Sequence, residues 1–320
     1  MLHPQIAVIG AGPVGSIVAA YLAKAGHDVA VIDVAPAIVE QLRAGELAID
    51  GFADVRARIG RTFESIEAAA ATGARFDAIY VCVKGPINRF ISGALPSILK
   101  ADGAAISFQN GLDTEAPLLA SCGSERTLRG AVNYAGVING PASIRMTFFN
   151  GANYLGAATP GDAAAERKAR ELAALMTEAK LTTDYTTSVH RHVWAKAIRN
   201  SALMPISALT GQDMAEVMEF GASLAVLEAL LKEAIAVAAS VGHAFDQKYY
   251  DDSLAYFRKA GHHMPSMYTD LQKGIRSEIG FLNGRIAEVG EERGVPVTYN
   301  RAIANLVMSI DEVARTRKRG

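Results

Sequence analysis

The stretch that decides the fold lies near the amino terminus and reads Ile6-Ala7-Val8-Ile9-Gly10-Ala11-Gly12-Pro13-Val14-Gly15. Four apolar residues typical of a buried parallel strand lead into a Gly-x-Gly-x-x-Gly turn, and residues 16–24 predict a helix. A second apolar run, 27–33, ends on Asp33, eighteen residues after the last glycine of the turn. This order of strand, glycine turn, helix, second strand and acid predicts a dinucleotide-binding βαβ unit.

Each glycine of the turn has a separate physical function. Gly10 permits a backbone turn that a side chain would forbid, Gly12 lets the backbone approach a pyrophosphate, and Gly15 lets the helix lie close to the strand. The amino terminus of the helix offers N–H groups and a partial positive charge to the phosphates. The predicted phosphate-side contacts are Gly10, Gly12, Pro13, Val14 and Gly15.

The acid at the end of the second strand indicates which cofactor is bound. A carboxylate at Asp33 is placed to accept hydrogen bonds from both adenosine ribose hydroxyls. It would also repel a 2′-phosphate. The sequence therefore favours NAD, with NADP as the alternative.

Composition narrows the class of protein. The 320 residues are half apolar and carry a net charge of −1. This length suits two domains with separate cores, and the near-neutral charge argues against nucleic acid as a partner. The uncharged stretch from Ile6 to Ala23 is interrupted by three glycines and a proline, so no membrane span is expected. Two cysteines without a pairing pattern favour a reducing compartment, and we expect a cytoplasmic protein.

The patterning divides the chain into two parts. Short apolar strands alternate with helical segments in the first part, which predicts an α/β Rossmann-type doubly wound sheet, and an all-α domain follows. The expected domains are residues 1–187, which bind the dinucleotide, and residues 188–320, which bind substrate and carry catalytic groups. The later predicted strands are 78–84, 104–109, 127–135, 143–150 and 152–156. The predicted helices include 37–44, 87–99, 163–179, 223–241, 247–260, 268–274, 278–293 and 300–317, with Asn300 as the cap of the last.

Polar residues follow the third and fourth predicted strands. Lys84 ends one strand, and Gln109-Asn110-Gly111 ends the next. Both therefore lie at the carboxyl edge of the sheet, where ligands bind in this fold class. Asn110 before Gly111 is also a common turn pair, so a structural function is an equal alternative to a ligand contact.

Two further groups lie in the helical part. Lys196 and Asn200 are four residues apart and share one helical face, and residues 265–278 contain Ser266 and Glu278. On composition alone the lysine is a solvated charge and the glutamate an acid that stabilises a helix dipole. No His or Cys pair has the spacing of a metal site, so no metal is expected.

The order of these motifs resembles the ketopantoate reductase family. The resemblance rests on the glycine fingerprint, Gln-Asn-Gly at 109–111, Trp-x-Lys-x-x-x-Asn at 194–200, Ser-Met-x-x-Asp-x-x-x-Gly-x-x-x-Glu at 266–278, and Gly-Val-Pro at 294–296. It implies a Rossmann-type domain that holds a nicotinamide cofactor and a helical domain that binds a small 2-oxo acid.

The resemblance also implies functions for single residues. Lys196 would be the general acid that protonates the carbonyl oxygen as hydride arrives at the carbon, and Glu278 would hydrogen-bond and position the substrate. Positioned proton transfer of this kind contributes on the order of 10²–10⁴ in rate. The further contacts that the resemblance implies are Asn200, His263 and Ser266 with the substrate, and Lys84 and Asn110 between cofactor and substrate.

Three residues depart from the pattern of the pantoate-forming members. Met204, Met214 and His263 stand where those members carry asparagines. Two thioethers in place of two amides make the pocket less polar. A site without partners for a substrate hydroxyl has no reason to prefer a hydroxylated substrate.

These observations leave three hypotheses. The first is NAD(P)H-dependent reduction of a branched 2-oxo acid, as in the pantoate-forming members. The second is an NAD-linked 2-hydroxy-acid dehydrogenase for an apolar branched or aromatic substrate, which Asp33 and the two methionines favour. The third is a non-catalytic nucleotide sensor, which would be expected to lack the proton donor, whereas Lys196 is present. The helical part has enough apolar surface for a homodimer contact, and a monomer is the alternative.

Overall fold

The computed structural model describes residues 4–317, which divide into one compact unit up to His192 and another from Val193 onward. Within that range the first unit alternates strands with helices. Its strands are β1 (Gln5–Ile9), β2 (Asp28–Ile32), β3 (Leu47–Gly51), β4 (Val55–Ala57), β5 (Arg61–Phe63), β6 (Phe76–Val81), β7 (Leu99–Ser107), β8 (Thr127–Ala131), β9 (Tyr134–Gly140), β10 (Ser143–Phe149), β11 (Asn153–Ala157) and β12 (Thr183–Tyr185). Its helices are α1 (Pro13–Lys24), α2 (Pro36–Ala44), α3 (Ile66–Ala71), α4 (Asn88–Ile91), α5 (Ala116–Cys122) and α6 (Ala163–Glu178).

The large sheet has the strand order β12-β11-β8-β7-β6-β1-β2-β5. The six strands from β5 to β8 are parallel, whereas β11 pairs antiparallel with β8. The chain leaves β1 towards β2 on one side and returns to β6 on the other. The carboxyl ends of β1 and β6 therefore flank the topological switch point, where ligands bind in open α/β sheets.

Apolar residues cover both faces of this sheet. Alternate residues of β1 enter two different cores: Ile6 and Val8 pack with α1 and α6, while Ala7 and Ile9 pack with α3 and α5. A parallel strand buried on both faces reads as a continuous apolar run, which is why the sequence revealed it. The predicted doubly wound Rossmann-type domain is confirmed.

A second, smaller sheet was not predicted. It has the order β4-β3-β10-β9, with β10 parallel to β3 and antiparallel to β9, and it packs against α1. The predicted single strand 127–135 is wrong, because β8 ends at Ala131 in the large sheet and β9 begins at Tyr134 in the small one. The side chain of Asn153 accepts a hydrogen bond from the Asn133 N–H at 2.9 Å and so holds this change of sheet.

The predicted helix 87–99 is also wrong in part. A 3₁₀ turn, the single helical turn α4 and a second 3₁₀ segment, Ser92–Ser97, occupy most of it, and Leu99 already belongs to β7. Pro96 lies inside the second segment, where its missing N–H and fixed φ disfavour a continuous α-helix.

All regular secondary structure in the described part of the second unit is helical. The boundary between the two units falls between His192 and Val193, inside the helix Val189–Thr210 and five residues after the boundary predicted at residue 187. Its helices are α7 (Val189–Thr210), α8 (Met214–Glu219), α9 (Gly221–Ser240), α10 (Gln247–Lys259), α11 (Ser266–Gln272), α12 (Asn283–Arg293) and α13 (Thr298–Arg317). Among residues 4–317, no helix combines the length and apolar character that crossing a membrane requires.

Asn300 does not cap the last helix. It lies inside α13, and the Glu233 carboxylate of α9 instead accepts hydrogen bonds from the backbone N–H groups of Tyr299 and Asn300 at 3.0 and 2.9 Å. The Asn300 side chain bonds to Glu233 and accepts from Asn283 Nδ2 at 3.0 Å. A long-range carboxylate thus does the capping that the sequence assigned to a local residue.

Candidate active site

The glycine turn lies against the carboxyl ends of three strands. The Gly10 N–H donates to the Ile32 carbonyl at 2.9 Å, and the φ of Gly10 is +94°, a conformation that favours glycine. A Cβ at Gly10 would lie 2.9 Å from the backbone nitrogen of Val83, and one at Gly15 would lie 2.0 Å from the Gly10 carbonyl oxygen. Close packing within the protein therefore requires both of these glycines.

Gly12 differs from the other two glycines of the turn. Its φ of −69° and ψ of −178° suit any residue, and an added Cβ would meet no atom of the described chain within 4 Å. Contacts within the described protein therefore do not require a glycine here. Open space beside a bare backbone is what a pyrophosphate needs for close approach, so this position fits a dinucleotide.

The amino terminus of α1 completes the phosphate side. Pro13 occupies its first turn, and within the described range no side chain caps it and no acid lies in that turn. The positive end of the helix dipole thus remains available to an anion. The carbonyl of Val14 accepts a hydrogen bond from the Tyr134 hydroxyl at 3.0 Å, which fixes the first turn of α1 to the smaller sheet.

Asp33 follows β2 and joins two loops. Its Oδ2 accepts the Ala11 N–H at 2.6 Å, and its Oδ1 accepts the Ala35 N–H at 2.9 Å. Asp33 is half-buried, and each carboxylate oxygen can accept more than one hydrogen bond. The same group can therefore hold the glycine turn and still accept from ribose hydroxyls.

Lys84 and Asn110 lie on neighbouring loops at the same edge of the sheet. Lys84 comes three residues after the end of β6, and Asn110 three residues after the end of β7. Gln109 connects the two loops, because its Nε2 donates to the Val83 carbonyl at 2.8 Å. The structure thus gathers the predicted first-unit residues at one edge.

A thiol lies beneath the glycine turn. A Cβ added to Gly15 would be 3.0 Å from the Cβ of Cys82, and burial raises the pKa of the Cys82 thiol. The thiolate is the nucleophilic form of cysteine, so Cys82 is a packing residue here. Among residues 4–317, no three His, Cys, Asp or Glu side chains cluster as metal ligands.

In the second unit, one face of α7 carries two of the predicted site residues, Lys196 and Asn200, followed by Met204. Lys196 and Asn200 are half-buried, and Met204, one turn further along, is 9% exposed. Positions four residues apart lie above one another on a helix. The Ser201 carbonyl of this helix accepts from Asn283 Nδ2 at 2.9 Å, which ties α7 to the start of α12.

Glu278 lies just before a 3₁₀ turn, Ile279–Phe281, and is 8% exposed. The preceding residue, Ser277, is fixed by Asp311 of α13, whose carboxylate accepts from both the backbone N–H and the hydroxyl of Ser277. The predicted helix 278–293 is therefore interrupted, with Glu278 outside α12. This places the carboxylate on a short, anchored segment.

His263 lies on the irregular segment that leads into α11, and Ser266 follows at its end. The carbonyl of His263 accepts the Met214 N–H at 3.1 Å, and Ser266 is the first residue of α11 and is exposed. The neighbouring His262 pairs with Asp213 at 2.9 Å. Segment 261–266 is thus fastened to the start of α8.

A buried ion pair that was not predicted from the sequence lies behind the Asn110 loop. Arg129 of β8 and Glu115 lie 3.1 Å apart and are both almost fully buried. A charged residue inside a predicted apolar strand was the available signal, since buried arginines are rare unless paired. Its partner, fourteen residues earlier in a loop, could not be read from that pattern.

Fold and site together define a Rossmann-type dinucleotide-binding protein with a helical second unit. Two models of one family match the chain: "Ketopantoate reductase PanE/ApbA" over residues 6–160 and "Ketopantoate reductase PanE/ApbA C terminal" over residues 188–311. The chain belongs to the ketopantoate reductase family, and the resemblance seen in the sequence is confirmed. It is a nicotinamide-dependent oxidoreductase that acts on the CH–OH group of donors.

Relatives match over nearly their whole length. The 2-dehydropantoate 2-reductase of Archaeoglobus fulgidus is 26% identical over 96% of this chain and 98% of its own, and that of Pyrococcus abyssi is 25% identical over 95% and 96%. Among solved structures, a PanE/ApbA family ketopantoate reductase from Ralstonia eutropha JMP134 matches with a TM-score of 0.86 and 25% identity, covering 97% of this chain and 99% of that one. A D-mandelate dehydrogenase with NADH and anilino(oxo)acetate matches with a TM-score of 0.85 and 22% identity over the same shares, which shows a common fold.

Proposed function

We propose that the protein reduces a branched 2-oxo acid to the corresponding 2-hydroxy acid, with NADH as the preferred cofactor. The observation that carries the proposal is the match, over almost the full length of both chains, to relatives named 2-dehydropantoate 2-reductase. The open space at Gly12 and the uncapped start of α1 support binding of the cofactor pyrophosphate. Asp33, whose carboxylate lies beside the glycine turn, supports NADH over NADPH.

The proposed chemistry needs one proton donor. When bound, a reduced nicotinamide would supply a hydride to the carbonyl carbon, and the electron pair of the C=O π bond would move to the oxygen. Lys196 Nζ then donates a proton to that oxygen, which gives the hydroxyl, and the neutral amine regains a proton from water. An ammonium group both stabilises the developing negative charge and delivers the proton.

The remaining residues bind and orient the substrate. Glu278 would hydrogen-bond the substrate and position it, and the family resemblance gives Asn200, His263 and Ser266 further contacts there. Lys84 and Asn110, at the carboxyl edge of the sheet, would lie beside both cofactor and substrate. Fixed loops at these positions would hold the reacting groups in a productive arrangement.

Two methionines favour a second candidate substrate class. Met204 and Met214 are both buried and stand where pantoate-forming members carry asparagines. A pocket with thioethers favours a branched or aromatic 2-oxo acid without a hydroxyl. One fold neighbour is named as a D-mandelate dehydrogenase, whose name indicates an aromatic 2-hydroxy acid.

Initial rates of NADH oxidation distinguish these candidates. Purified protein is given 2-dehydropantoate, 2-oxoisovalerate or benzoylformate at equal concentration, and each series is repeated with NADPH. A preference for 2-dehydropantoate supports pantoate formation, and a preference for either other acid supports the second candidate. Binding of NADH without turnover of any of the three acids would favour a nucleotide sensor.

Replacement of the proposed proton donor tests the mechanism. Lys196→Ala is expected to abolish turnover and to leave NADH binding nearly unchanged. Lys232→Ala is the matched control, because Lys232 is an exposed lysine on α9 that pairs with Glu228 in the neighbouring turn. Wild-type turnover in Lys196→Ala would remove Lys196 from the mechanism.

A further inference from the structure

The largest fully buried side chain in the described protein is an arginine at the centre of β8. Arg129 is 1% exposed, and a guanidinium in such a place is unfavourable unless its donors are satisfied. Its two terminal nitrogens donate to four backbone carbonyls. These are Ser107 at 2.9 Å, Gln109 at 3.1 Å, Gly111 at 2.7 Å and Gly130 at 2.8 Å.

Three of those carbonyls belong to residues 107–111, which comprise the last residue of β7 and the loop after it. In the stretch 107–112, Asn110 is half-buried and its neighbours are buried. The Gln109 carbonyl before Asn110 and the Gly111 carbonyl after it both accept from Arg129. The guanidinium therefore holds one backbone carbonyl before Asn110 and one after it.

An acid completes the arrangement from the far end of the loop. Glu115 is 5% exposed, and its Oε2 lies 3.1 Å from Arg129 Nε. Its other oxygen, Oε1, lies 3.7 Å from Nδ1 of His190. Burial lowers the pKa of Arg129, and the Glu115 charge opposes that shift. The pair thus closes the loop at residue 115 and balances the buried positive charge.

A second layer of bonds fixes the side of the loop that faces Lys84. Gln109 Oε1 accepts from Asn88 Nδ2 and from the Ser107 hydroxyl, each at 3.0 Å, while Gln109 Nε2 donates to the Val83 carbonyl. An apolar side chain at position 129 would remove the three hydrogen bonds that Arg129 donates to the carbonyls of Ser107, Gln109 and Gly111. The strand itself needs no arginine, because its ladder to β7 is made by backbone groups.

We propose that Arg129, paired with Glu115, is a positioning residue that holds Asn110 in the orientation needed to contact cofactor and substrate. The inference rests on the proposed function, in which Asn110 contacts both. Arg129 acts only through the loop and touches neither ligand. Small displacements of a positioning group can lower rates by about a hundredfold, so the effect on turnover is measurable.

A double-mutant cycle tests the proposal. Arg129→Lys keeps a positive charge opposite Glu115, but one ammonium cannot reach the carbonyls on both sides of Asn110. We expect kcat/KM for the 2-oxo acid to fall by roughly 10–100-fold. In an Asn110→Ala background the same change is expected to lower kcat/KM by less than about threefold, because the group being positioned is absent.

Arg126→Lys is the matched control. Arg126 lies immediately before β8, and its Nε donates to the Cys122 carbonyl at 2.8 Å, away from the loop of Asn110. It should behave as the wild type in both backgrounds. If Arg129→Lys does not fold, Glu115→Gln, which keeps the side-chain volume and removes the paired charge, takes its place in the cycle.

The outcomes distinguish the positioning function of Arg129 from the ligand contact of Asn110. Equal losses in the wild-type and Asn110→Ala backgrounds would overturn the positioning function and leave Arg129 as a structural residue. Wild-type kinetics in Asn110→Ala alone would instead remove Asn110 from the proposed site. A smaller effect of Arg129→Lys in the Asn110→Ala background than in the wild type supports both the positioning function of Arg129 and the ligand contact of Asn110.

Discussion

Asp33 Oδ2 accepts the backbone N–H of Ala11 at 2.6 Å, so the acid that ends the second strand is bonded to the glycine turn itself. The other oxygen accepts the Ala35 N–H. One carboxylate therefore fixes the loops after β1 and after β2 relative to each other. In the proposed function the same negative charge would repel the 2′-phosphate of NADPH, so Asp33 would both hold the glycine turn and favour NADH.

This relationship predicts the behaviour of Asp33→Asn. The amide removes the charge and turns one acceptor into a donor that faces a backbone N–H. Hydrogen bonds to charged groups contribute about 1.5–3 kcal/mol, so kcat/KM for NADH should fall by about tenfold or more. Because repulsion of a 2′-phosphate is also removed, the ratio of NADPH to NADH activity should rise.

Asp28→Asn provides the control for Asp33→Asn. Asp28 is an exposed acid at the opposite end of β2, paired with Arg61 at 2.8 Å. Its loss should leave the cofactor ratio unchanged. An unaltered ratio in Asp33→Asn would contradict the assigned selectivity.

The two later glycines of the turn should respond differently to alanine. Gly15→Ala places a Cβ 2.0 Å from the Gly10 carbonyl oxygen, and overpacking of this kind costs about 1–3 kcal/mol of unfolding free energy. Gly12→Ala meets open space at a permitted φ and ψ, so the protein should be as stable or slightly more so. Its NADH affinity should nevertheless fall, because the methyl group occupies the space assigned to the pyrophosphate.

Thermal unfolding and NADH titration measure both effects of these glycine variants. The informative result is loss of NADH binding in Gly12→Ala without loss of stability. Wild-type NADH affinity in Gly12→Ala would mean that the pyrophosphate does not approach this backbone.

Local patterns predicted the parts of the fold that depend on neighbours in sequence. The glycine turn, the buried run of β1 and the acid after β2 are all local, and each lies where it was expected. The smaller sheet is not local: β3 pairs with β10, about one hundred residues later, and strands of three to seven residues with mixed burial give a weak periodic signal. Asn300 shows the same limit, since its assigned capping function is performed by Glu233 from another helix.

The predicted site shows the same difference between features that depend on neighbours in sequence and features that depend on distant residues. Residue types and spacing identified Lys84 and Asn110 at the sheet edge, because strand ends follow from the pattern. The arrangement that holds Asn110 depends on Arg129, Glu115 and Gln109, which meet only when β7 and β8 pair. Bonds of this kind depend on the register between strands of the sheet, which local patterns in a single sequence do not reveal.

Asp311 should influence the reaction through Glu278. Its carboxylate accepts from the Ser277 N–H at 3.1 and 3.2 Å and from the Ser277 hydroxyl at 2.7 Å, one residue before Glu278. Asp311→Ala releases this segment, and we expect KM for the 2-oxo acid to rise by roughly tenfold, since charged hydrogen bonds of this strength are lost. NADH affinity should change little, because Asp311 acts on the segment of Glu278.

Steady-state kinetics of Asp311→Ala beside Glu278→Gln check this prediction. Glu291→Ala is a suitable control, because Glu291 is an exposed acid that also bonds to α13, through Arg301 at 2.6 Å. If Glu278→Gln impairs substrate binding while Asp311→Ala does not, the anchoring function is wrong and the function of Glu278 stands.

The His262–Asp213 pair predicts a pH dependence near neutrality. The hydrogen bond to Asp213, aided by its charge, raises the pKa of His262 above the ordinary value of 6.5. A raised pKa in the folded state means that the pair stabilises the fold fully below the ordinary value and loses this contribution as pH rises through the raised one. The fastening of segment 261–266 to α8 should therefore weaken towards alkaline pH.

An NMR titration of the His262 ring in wild type and Asp213→Asn measures this pair. Asparagine remains a good cap for α8, so the helix is retained, and the pKa of His262 should return towards its ordinary value. Since the Met214 N–H also bonds to the His263 carbonyl, the protection factor of the Met214 amide, taken relative to its intrinsic exchange rate at each pH, should fall over the same pH range in wild type. Equal His262 pKa values in the two proteins would show that the pair does not form in solution, and the segment would then be held by the backbone bond alone.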